Sequence, residues 1–372
     1  MEHSRKIVLV GPVYPYKGGI SHYTSLMCAA LRKQNQVYMM SYKFQYPKFL
    51  YKKEQKDFGN DAFRVEDTDY AIHTASPFNW VSAARKIRRL KPDLVIFQWW
   101  HPYFAPCYFA MSRLLGKIKT LYVCHNVFPH ERFPLDRFLA KMVLGKGDCF
   151  IVQSSQDEED LLSIRPGARY KKTVHPTYNA FRLQGLSREE GRRQLKLSTD
   201  EKVILFFGFV REYKGLKHLL RAMPAISGSM EKARLLVVGD FPGNREEYAK
   251  LIEELGIEDA VDIYDGYIPD REVEKFFAAA DLVALPYESA TQSGIVQIAY
   301  GFEKPVVVTN VGGLPEVVRE GETGYVVEAG DSAALGEKII EYFREGKQEA
   351  FREAIRAEAE RYSWDRMAET VD

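Results

Sequence analysis

The chain has 372 residues, 46% of them hydrophobic and 28% charged, with a formal net charge of +1. This length accommodates about two domains with substantial cores, and the near-neutral total gives no reason to expect a nucleic-acid partner. Prolines and polar or charged residues interrupt every apolar stretch before it reaches about 20 residues, which excludes a membrane-spanning helix.

The charge is unevenly distributed along the chain. Residues 1–172 hold 27 Lys and Arg against 15 Asp and Glu, whereas the other 200 hold 25 against 36. This asymmetry predicts two domains with different partners. The first predicted strand follows directly on a short polar segment, so we expect no signal peptide. The widely spaced cysteines form no metal or redox motif, so we expect reduced thiols in a cytoplasmic protein. The cysteines are Cys28, Cys107, Cys124 and Cys149.

The N-terminal half alternates apolar strand-like runs with helical stretches. The helical pattern is clearest at 23–31, where apolar residues recur at helical spacing. Strands are predicted at 6–10, 36–41, 94–98, 120–125 and 149–153. Segment 43–56 places Phe44, Tyr46 and Phe49 among five lysines, which predicts a mobile loop or, alternatively, an amphipathic segment at a membrane interface.

The C-terminal half repeats this alternation. Its predicted strands lie at 203–207, 234–238, 261–264, 282–285 and 305–309, each nearly continuously apolar. Such runs are typical of strands buried on both faces of a parallel sheet, so the whole chain is predicted to be doubly wound α/β. Breakers at 177–187 indicate a boundary. We expect domains at 1–180 and 181–355, and a last helix at 356–372 that crosses back to the first domain.

A helix start near residue 293 is suited to a phosphate. Ser293, Gly294 and Ile295 precede an apolar helical stretch, which a β-branched strand and a Gly-Gly turn follow. Backbone N–H groups at a helix start are unpaired, and small side chains let a phosphate approach them. The alternative is an ordinary strand-helix-strand unit without a ligand.

The order of the motifs is more specific than any one of them. It resembles that of glycosyltransferase family 4, retaining enzymes that use nucleotide sugars and have the GT-B fold of two Rossmann-like domains facing across a cleft. The resemblance covers nearly the whole chain and is strongest from Lys202 onward. Its motifs are Gly11-Pro12, Gly18-Gly19, Cys124-His125-Asn126, Gly208 to Lys214-Gly215, Val238-Gly239-Asp240, Asp265-Gly266-Tyr267, the segment at Ser293, Gly321-Glu322-Thr323-Gly324 and Tyr362-Ser363-Trp364.

Three catalytic candidates follow. Lys214 lies between a strand and a helix, where its charge suits a diphosphate leaving group. The family has an arginine directly after the glycine, but here that position is Phe209, so Arg211 takes the guanidinium role. His125 ends a strand and matches the family histidine that contacts the reacting sugar; the alternative is a structural histidine. His130 and Glu131 follow in the same loop as weaker candidates.

The remaining candidates are predicted to bind the donor and its diphosphate. Gly18 and Gly19 open a helix after the first strand, where the backbone could approach a ligand, with a plain turn as the alternative. The family's two glutamates around the donor helix are missing, since Thr291 occupies the first position and the second falls near Ile298 or Ala299. Glu288 or Gln297 could replace one contact. The full set is Gly18, Gly19, Gly208, Tyr267, Glu288, Thr291, Ser293, Gly294, Ile295 and Gln297.

The resemblance therefore implies a hexosyltransferase that moves a sugar from a nucleoside diphosphate, most simply a UDP- or GDP-sugar, to a glycan or lipid-linked acceptor in cell-envelope polysaccharide synthesis. We expect no cofactor and no metal, because the nucleotide sugar is a substrate. The basic N-terminal half predicts reversible docking on an anionic membrane surface. A GT-B nucleotide-sugar epimerase and a non-catalytic sugar-nucleotide-binding homologue remain alternatives. A nicotinamide dehydrogenase is disfavoured, because the glycines lack the tight G-x-G-x-x-G spacing.

Overall fold

A computed structural model describes residues 4–51, 53–129 and 132–371. The chain divides into two compact units, an N-terminal unit that runs to Val174 and resumes at Trp364, and a C-terminal unit, His175–Ser363. The division lies a few residues before the predicted boundary at 177–187. The reason is that the Thr177 and Tyr178 N–H groups already donate to carbonyls at Tyr362 and Gln297 of the C-terminal unit.

The described residues of the N-terminal unit form a seven-stranded parallel sheet in the order β3-β2-β1-β4-β5-β6-β7. Its strands are β1 Lys6–Val10, β2 Gln36–Phe44, β3 Asp69–His73, β4 Leu94–Trp99, β5 Lys119–Cys124, β6 Cys149–Val152 and β7 Tyr170–Lys172. Its helices begin with α1 Gly19–Leu31, α2 Pro77–Leu90, α3 Ala105–Leu114, α4 Asp136–Leu144 and α5 Ser155–Ile164.

The C-terminal unit is built around a six-stranded parallel sheet in the order β10-β9-β8-β11-β12-β13. Its strands are β8 Lys202–Phe207, β9 Ala233–Gly239, β10 Val261–Asp265, β11 Leu282–Leu285, β12 Val306–Thr309 and β13 Gly324–Val327. Its helices are α6 Arg188–Gln194, α7 Leu216–Ser229, α8 Arg245–Leu255, α9 Asp270–Ala279, α10 Gly294–Gly301, α11 Ser332–Arg344 and α12 Gln348–Ala357.

The last helix, α13 Trp364–Val371, belongs to the N-terminal unit. Its buried Met367 and Val371 join the core on one face of the sheet, beside residues of α1. The Trp364 ring lies 4.9 Å from that of Tyr23 in α1. An amphipathic last helix thus completes the apolar cover of the first sheet.

The central strands are buried on both faces. Every residue of β1 from Ile7 to Val10 is inaccessible to solvent, because helices pack on both sides of the sheet. The doubly wound α/β class predicted from the apolar runs is therefore confirmed. The prediction missed the edge strands β3 and β7, most of whose residues are partly or fully exposed, and the four-residue β13.

Both sheets reverse their strand order at one point. In the N-terminal unit this switch lies between β1 and β4, and in the C-terminal unit between β8 and β11. Open α/β sheets bind ligands outside the carboxyl ends of the strands at such a point, because the loops on either side diverge there. The loops after these four strands are therefore the expected positions of ligand-binding residues.

Segment 43–56 is only partly the loop that its composition predicts. Lys43 and Phe44 belong to β2, and the Phe44 ring stacks on His73 at 4.3 Å. The Tyr46 hydroxyl accepts a hydrogen bond from Trp100. Lys52 lies outside the described residues. No helix in the described part of the chain has both the length and the apolar character needed to cross a membrane.

Candidate functional site

The switch point of the C-terminal unit holds a lysine between its two diverging loops. Lys214 ends a short 3₁₀ helix, Glu212–Lys214, after β8, and Tyr287 follows β11. The Lys214 Nζ donates to the Tyr287 hydroxyl at 3.0 Å and lies 4.8 Å from the centre of its ring. Burial opposes the lysine charge, but the Tyr287 and Tyr213 hydroxyls outweigh it and raise the pKa of Lys214. The ammonium group is thus held in place and charged at neutral pH.

Two glycines make room for this lysine. Gly208 has a φ of +117°, and a Cβ there would lie 3.3 Å from the Lys214 Nζ. Gly215 has a φ of +62°, and a Cβ there would lie 1.9 Å from the Pro286 carbonyl oxygen. Any larger residue at Gly215 would push the two loops apart, so the glycines fix the distance across the switch point.

The start of α10 lies at the same place. The Ser293 hydroxyl accepts the Ile295 N–H at 3.3 Å and lies 3.5 Å from the Tyr287 hydroxyl. Ile295 also approaches Gly208, since its Cδ1 would lie 3.8 Å from a Cβ at that glycine. A lysine and the positive end of a helix dipole therefore converge on one position, which is chemically suited to a diphosphate. The structure thus brings together Gly208, Lys214, Ser293, Gly294 and Ile295.

Glu288 lies next to this site but already has two side-chain partners. Its carboxylate lies 2.9 Å from the Lys217 Nζ and 2.7 Å from the His218 Nε2. Hydrogen bonds from these two side chains lower the pKa of Glu288. The carboxylate is therefore ionised at neutral pH and held by α7, so a contact to a ligand hydroxyl would use its remaining acceptor capacity.

Three other predicted donor residues have different surroundings. Thr291 is buried and its carbonyl accepts the Gly313 N–H at 2.9 Å, in the Gly-Gly turn predicted from the sequence. Tyr267 follows Gly266, which has a φ of +125°, and remains exposed at the end of β10. Gln297 is fully buried, and neither of its amide atoms has a hydrogen-bond partner among the described residues. Its contact to a donor stays a prediction.

Arg211 is not part of the group around Lys214. Its side chain is exposed, and no hydrogen bond or ion pair joins it to the described residues. Only its backbone takes part, since its carbonyl accepts the Lys214 N–H at 3.0 Å. The catalytic role of its guanidinium stays a prediction.

In the N-terminal unit, His125 lies at the carboxyl end of the sheet, directly after β5. Its N–H donates to the Trp99 carbonyl at 2.8 Å, and its Nε2 lies 2.6 Å from the Gln98 Oε1. The Tyr23 ring packs edge-on at 4.5 Å. A Cβ at Gly11, which follows β1, would lie 2.6 Å from the Gln98 Cγ. The glycine thus lets the buried glutamine orient the histidine ring at the end of the sheet.

Gly18 and Gly19 differ from each other. Gly18 has a φ of +105° and lacks a side chain that could cap α1, whereas Gly19 begins the helix. A Cβ at either position would have no described atom within 4 Å. Backbone strain therefore requires glycine at position 18 only, and the approach of a ligand to the two glycines stays a prediction. His130 and Glu131 lie outside the described residues.

Sequence reasoning missed Tyr287 and Gln98. Both lie in apolar runs of the sequence, which predict core residues. In the structure, each is a polar side chain at or just after the end of a strand at a switch point. The described residues contain no group of three or more His, Cys, Asp or Glu placed to bind a metal ion.

Two family profiles match consecutive parts of the chain. The profile described as "Glycosyltransferase Family 4" matches residues 17–177, and "Glycosyl transferases group 1" matches residues 187–361. The D-inositol 3-phosphate glycosyltransferase of Mycolicibacterium smegmatis is 30% identical over 64% of this chain and 54% of its own. The chain spans about half the length of the first curated relatives that it matches, between 46% and 56%.

Solved structures share the fold over the whole chain. Sucrose-phosphate synthase from Thermosynechococcus elongatus is 19% identical with a TM-score of 0.74, covering 99% of this chain and 97% of that one. The HepE protein of Anabaena, solved with UDP-glucose, is 17% identical with a TM-score of 0.74, covering 99% of both chains. At these identities the likeness concerns the fold, which is that of the GT-B glycosyltransferases.

Proposed function

The chain belongs to glycosyltransferase family 4, and from that premise we propose that it transfers a hexosyl residue from a nucleoside diphosphate sugar to a glycan or lipid-linked acceptor of the cell envelope, with retention of anomeric configuration. The observation that carries this proposal is the convergence of Lys214, Tyr287 and the start of α10 at the switch point of the C-terminal unit. UDP- and GDP-sugars are the donors we favour, and the structural neighbour solved with UDP-glucose supports the first of them.

The chemistry at this position concerns the leaving group. Breaking the bond between the anomeric carbon and the phosphate oxygen leaves a nucleoside diphosphate with an additional negative charge. The Lys214 ammonium group and the first-turn N–H groups of α10 would stabilise that charge, and both are already oriented before the ligand binds. No metal ion is required in this scheme, because lysine and backbone donors supply the positive potential.

Substitution with retention then requires the acceptor to attack on the face that the diphosphate leaves. The acceptor hydroxyl bonds to the anomeric carbon as the bond to phosphate breaks, and a phosphate oxygen takes the hydroxyl proton. His125 would contact the reacting sugar, as the family resemblance implies, with its ring oriented by Gln98. This scheme needs no carboxylate nucleophile, consistent with the missing family glutamates.

A panel of UDP-, GDP-, dTDP- and ADP-sugars tests the proposal. A donor that binds should raise the melting temperature by mass action, and incubation without acceptor should release its nucleotide slowly. Conversion of the sugar to an epimer without nucleotide release would favour an epimerase. A thermal shift with neither reaction would favour a non-catalytic homologue.

We also propose that the N-terminal unit docks reversibly on an anionic membrane surface. Phe44 stacks on His73 and the Tyr46 hydroxyl accepts from Trp100, so these half-buried rings are held by packing and we assign insertion to more exposed rings. Phe49 is 78% exposed and Phe78, at the start of α2, is 91% exposed. The two segments are connected, because the Thr74 hydroxyl, just before α2, donates to the Gln45 carbonyl at 2.6 Å.

Three exposed lysines lie in the same segment, 43–56, as Phe49. Lys43, Lys48 and Lys53 are exposed, and each could contribute about 1 kcal/mol near anionic lipid. Liposome co-sedimentation at rising anionic lipid content should show binding that high salt weakens. The variant with Phe49 and Phe78 both changed to Ser should bind less at every composition, and binding independent of lipid charge and salt would contradict docking.

A further inference from the structure

The switch point of the N-terminal unit carries a group of aromatic rings that the transfer chemistry does not use. β4 ends at Trp99, and the chain continues through Trp100, His101 and Tyr103. Switch points are the usual ligand sites of open α/β sheets. We call Tyr46, Trp100, His101, Tyr103 and Phe133 the aromatic rim.

The rings of the aromatic rim contact one another without being fully buried. Tyr46 and Tyr103 lie 5.3 Å apart, and the Trp100 Nε1 donates to the Tyr46 hydroxyl at 2.8 Å. His101 stacks on Phe133, with centres 5.9 Å apart and planes 17° apart. All five are half-buried, whereas the neighbouring Phe104 is fully buried. The rim thus consists of partly accessible rings that are held by contacts with one another.

His101 adds one polar group to these rings. Its Nδ1 accepts the Tyr103 N–H at 3.0 Å and so caps the short helix Pro102–Phe104. Burial lowers the pKa of His101, so at neutral pH the ring is neutral and its single proton lies on Nε2. No described side chain or carbonyl accepts that Nε2–H. The rim therefore combines uncharged ring faces with one hydrogen-bond donor.

We propose that the aromatic rim binds a pyranose ring of the acceptor, whose C–H face stacks on the rings while a hydroxyl accepts from the His101 Nε2. A pyranose ring has this combination of an apolar face and a hydroxyl edge. A phosphate finds no positive charge among the five side chains, and a prenyl chain leaves the Nε2–H without a partner. The proposal rests on the proposed function, in which a glycan acceptor supplies such a ring.

The position of the aromatic rim relative to His125 supports this assignment. Strands β4 and β5 are neighbours, with Trp99 opposite Cys124. His125 is the residue after Cys124, and its N–H donates to the Trp99 carbonyl at 2.8 Å. A sugar on the rim lies beside the histidine that the family resemblance assigns to the reacting sugar, so the rim determines which acceptor is used.

Binding of simple glycosides tests the rim without any donor. The probes are the methyl glycosides of glucose, galactose, mannose and N-acetylglucosamine, followed by saturation-transfer NMR on the full chain. His101→Asn retains an acceptor for the helix cap but loses the ring and its Nε2–H, and Phe133→Leu removes a ring while keeping apolar volume. Phe138→Leu is the matched control, since Phe138 lies outside the rim in α4 and is 64% exposed.

We expect at least one glycoside to bind the wild type, and its Kd to rise about five- to tenfold in His101→Asn and Phe133→Leu but not in Phe138→Leu. Equal affinity in all four proteins would overturn the proposal. Binding of farnesyl phosphate but of no glycoside would overturn it as well, and so would binding of neither. UDP and GDP thermal shifts on the same samples separate the two proposals, because a nucleotide response without glycoside binding leaves the proposed function standing.

Discussion

Replacing Lys214 by Met removes the ammonium group at the switch point of the C-terminal unit while keeping a side chain of similar length. The variant loses the 3.0 Å hydrogen bond to Tyr287 and the 4.8 Å contact with its ring. These contacts contribute about 1 to 2 kcal/mol to the stability of a folded protein. The loss should lower the melting temperature but leave the chain folded.

The effect on catalysis should be larger than the effect on stability. A preorganised donor to a developing anion is worth about 2 to 4 kcal/mol in the transition state. This corresponds to a fall of about 30- to 1000-fold in kcat/KM for nucleotide release. The assay is donor turnover by the purified variant, with circular dichroism as a check on folding.

Two further variants show whether the charge itself matters. Tyr287→Phe keeps the ring but removes the hydroxyl that positions Lys214, and we expect an intermediate loss of about tenfold. Lys232→Met removes an exposed lysine paired with Asp200 near the start of β9, and turnover should not change. Turnover of folded Lys214→Met within threefold of wild type would refute the diphosphate assignment.

Three other predictions concern stability and its pH dependence. Gly215→Ala places a Cβ 1.9 Å from the Pro286 carbonyl oxygen, whereas Gly346→Ala has nearly the same φ with no described atom within 4 Å of the new Cβ. Chemical denaturation should therefore show Gly215→Ala to be less stable than Gly346→Ala by about 2 kcal/mol or more. Equal losses of stability in the two variants would contradict the overlap. Burial lowers the pKa of His175 from 6.5 to about 4. Between these pH values the unfolded chain binds more protons than the folded one, so the stability of the wild type should fall by up to about 3 kcal/mol as the pH drops. The fall should be smaller in His175→Asn, and identical pH curves would argue against a neutral buried histidine. Arg192→Met removes the five hydrogen bonds that a buried guanidinium donates to four carbonyls and the Asp281 carboxylate, so urea denaturation should show a loss of about 3 kcal/mol or more. A loss below 1 kcal/mol would contradict this role.

The fold was largely predictable, because parallel strands buried on both faces leave long apolar runs in the sequence. β8 and β11 were found within one residue of their observed bounds. The edge strands β3 and β7 could not be found in this way. In Asp69–His73 and Tyr170–Lys172 every residue except Ile72 is partly or fully exposed, so the pattern that marks a central strand is missing.

The site was predictable where backbone chemistry defines it. Ser293 and Gly294 mark the start of a helix by residue type, and Gly208 and Gly215 mark positions with positive φ. Tyr287 could not be singled out, because its role depends on the distance to Lys214 across the switch point. Such a contact between separate loops arises only when both strands are placed in one sheet.

The surface of the N-terminal unit shows the same limit. Phe44, Tyr46 and Phe49 look alike in the sequence, since all three stand among lysines. Packing separates them, because His73 covers Phe44 and Trp100 binds the hydroxyl of Tyr46, whereas Phe49 stays exposed. Local composition predicted an amphipathic segment, but only tertiary contacts decide which of its rings face solvent.

The central claim is that this chain cleaves a nucleoside diphosphate sugar with retention of configuration. Proton NMR of each donor incubated with the protein, without acceptor, tests it most directly, because the anomeric signal of the released sugar is visible before mutarotation. The account predicts that one donor is consumed slowly, with nucleoside diphosphate as co-product, and that the released sugar first appears as the same anomer as in the donor. Release of the opposite anomer, or no consumption of any donor in the panel, would contradict it.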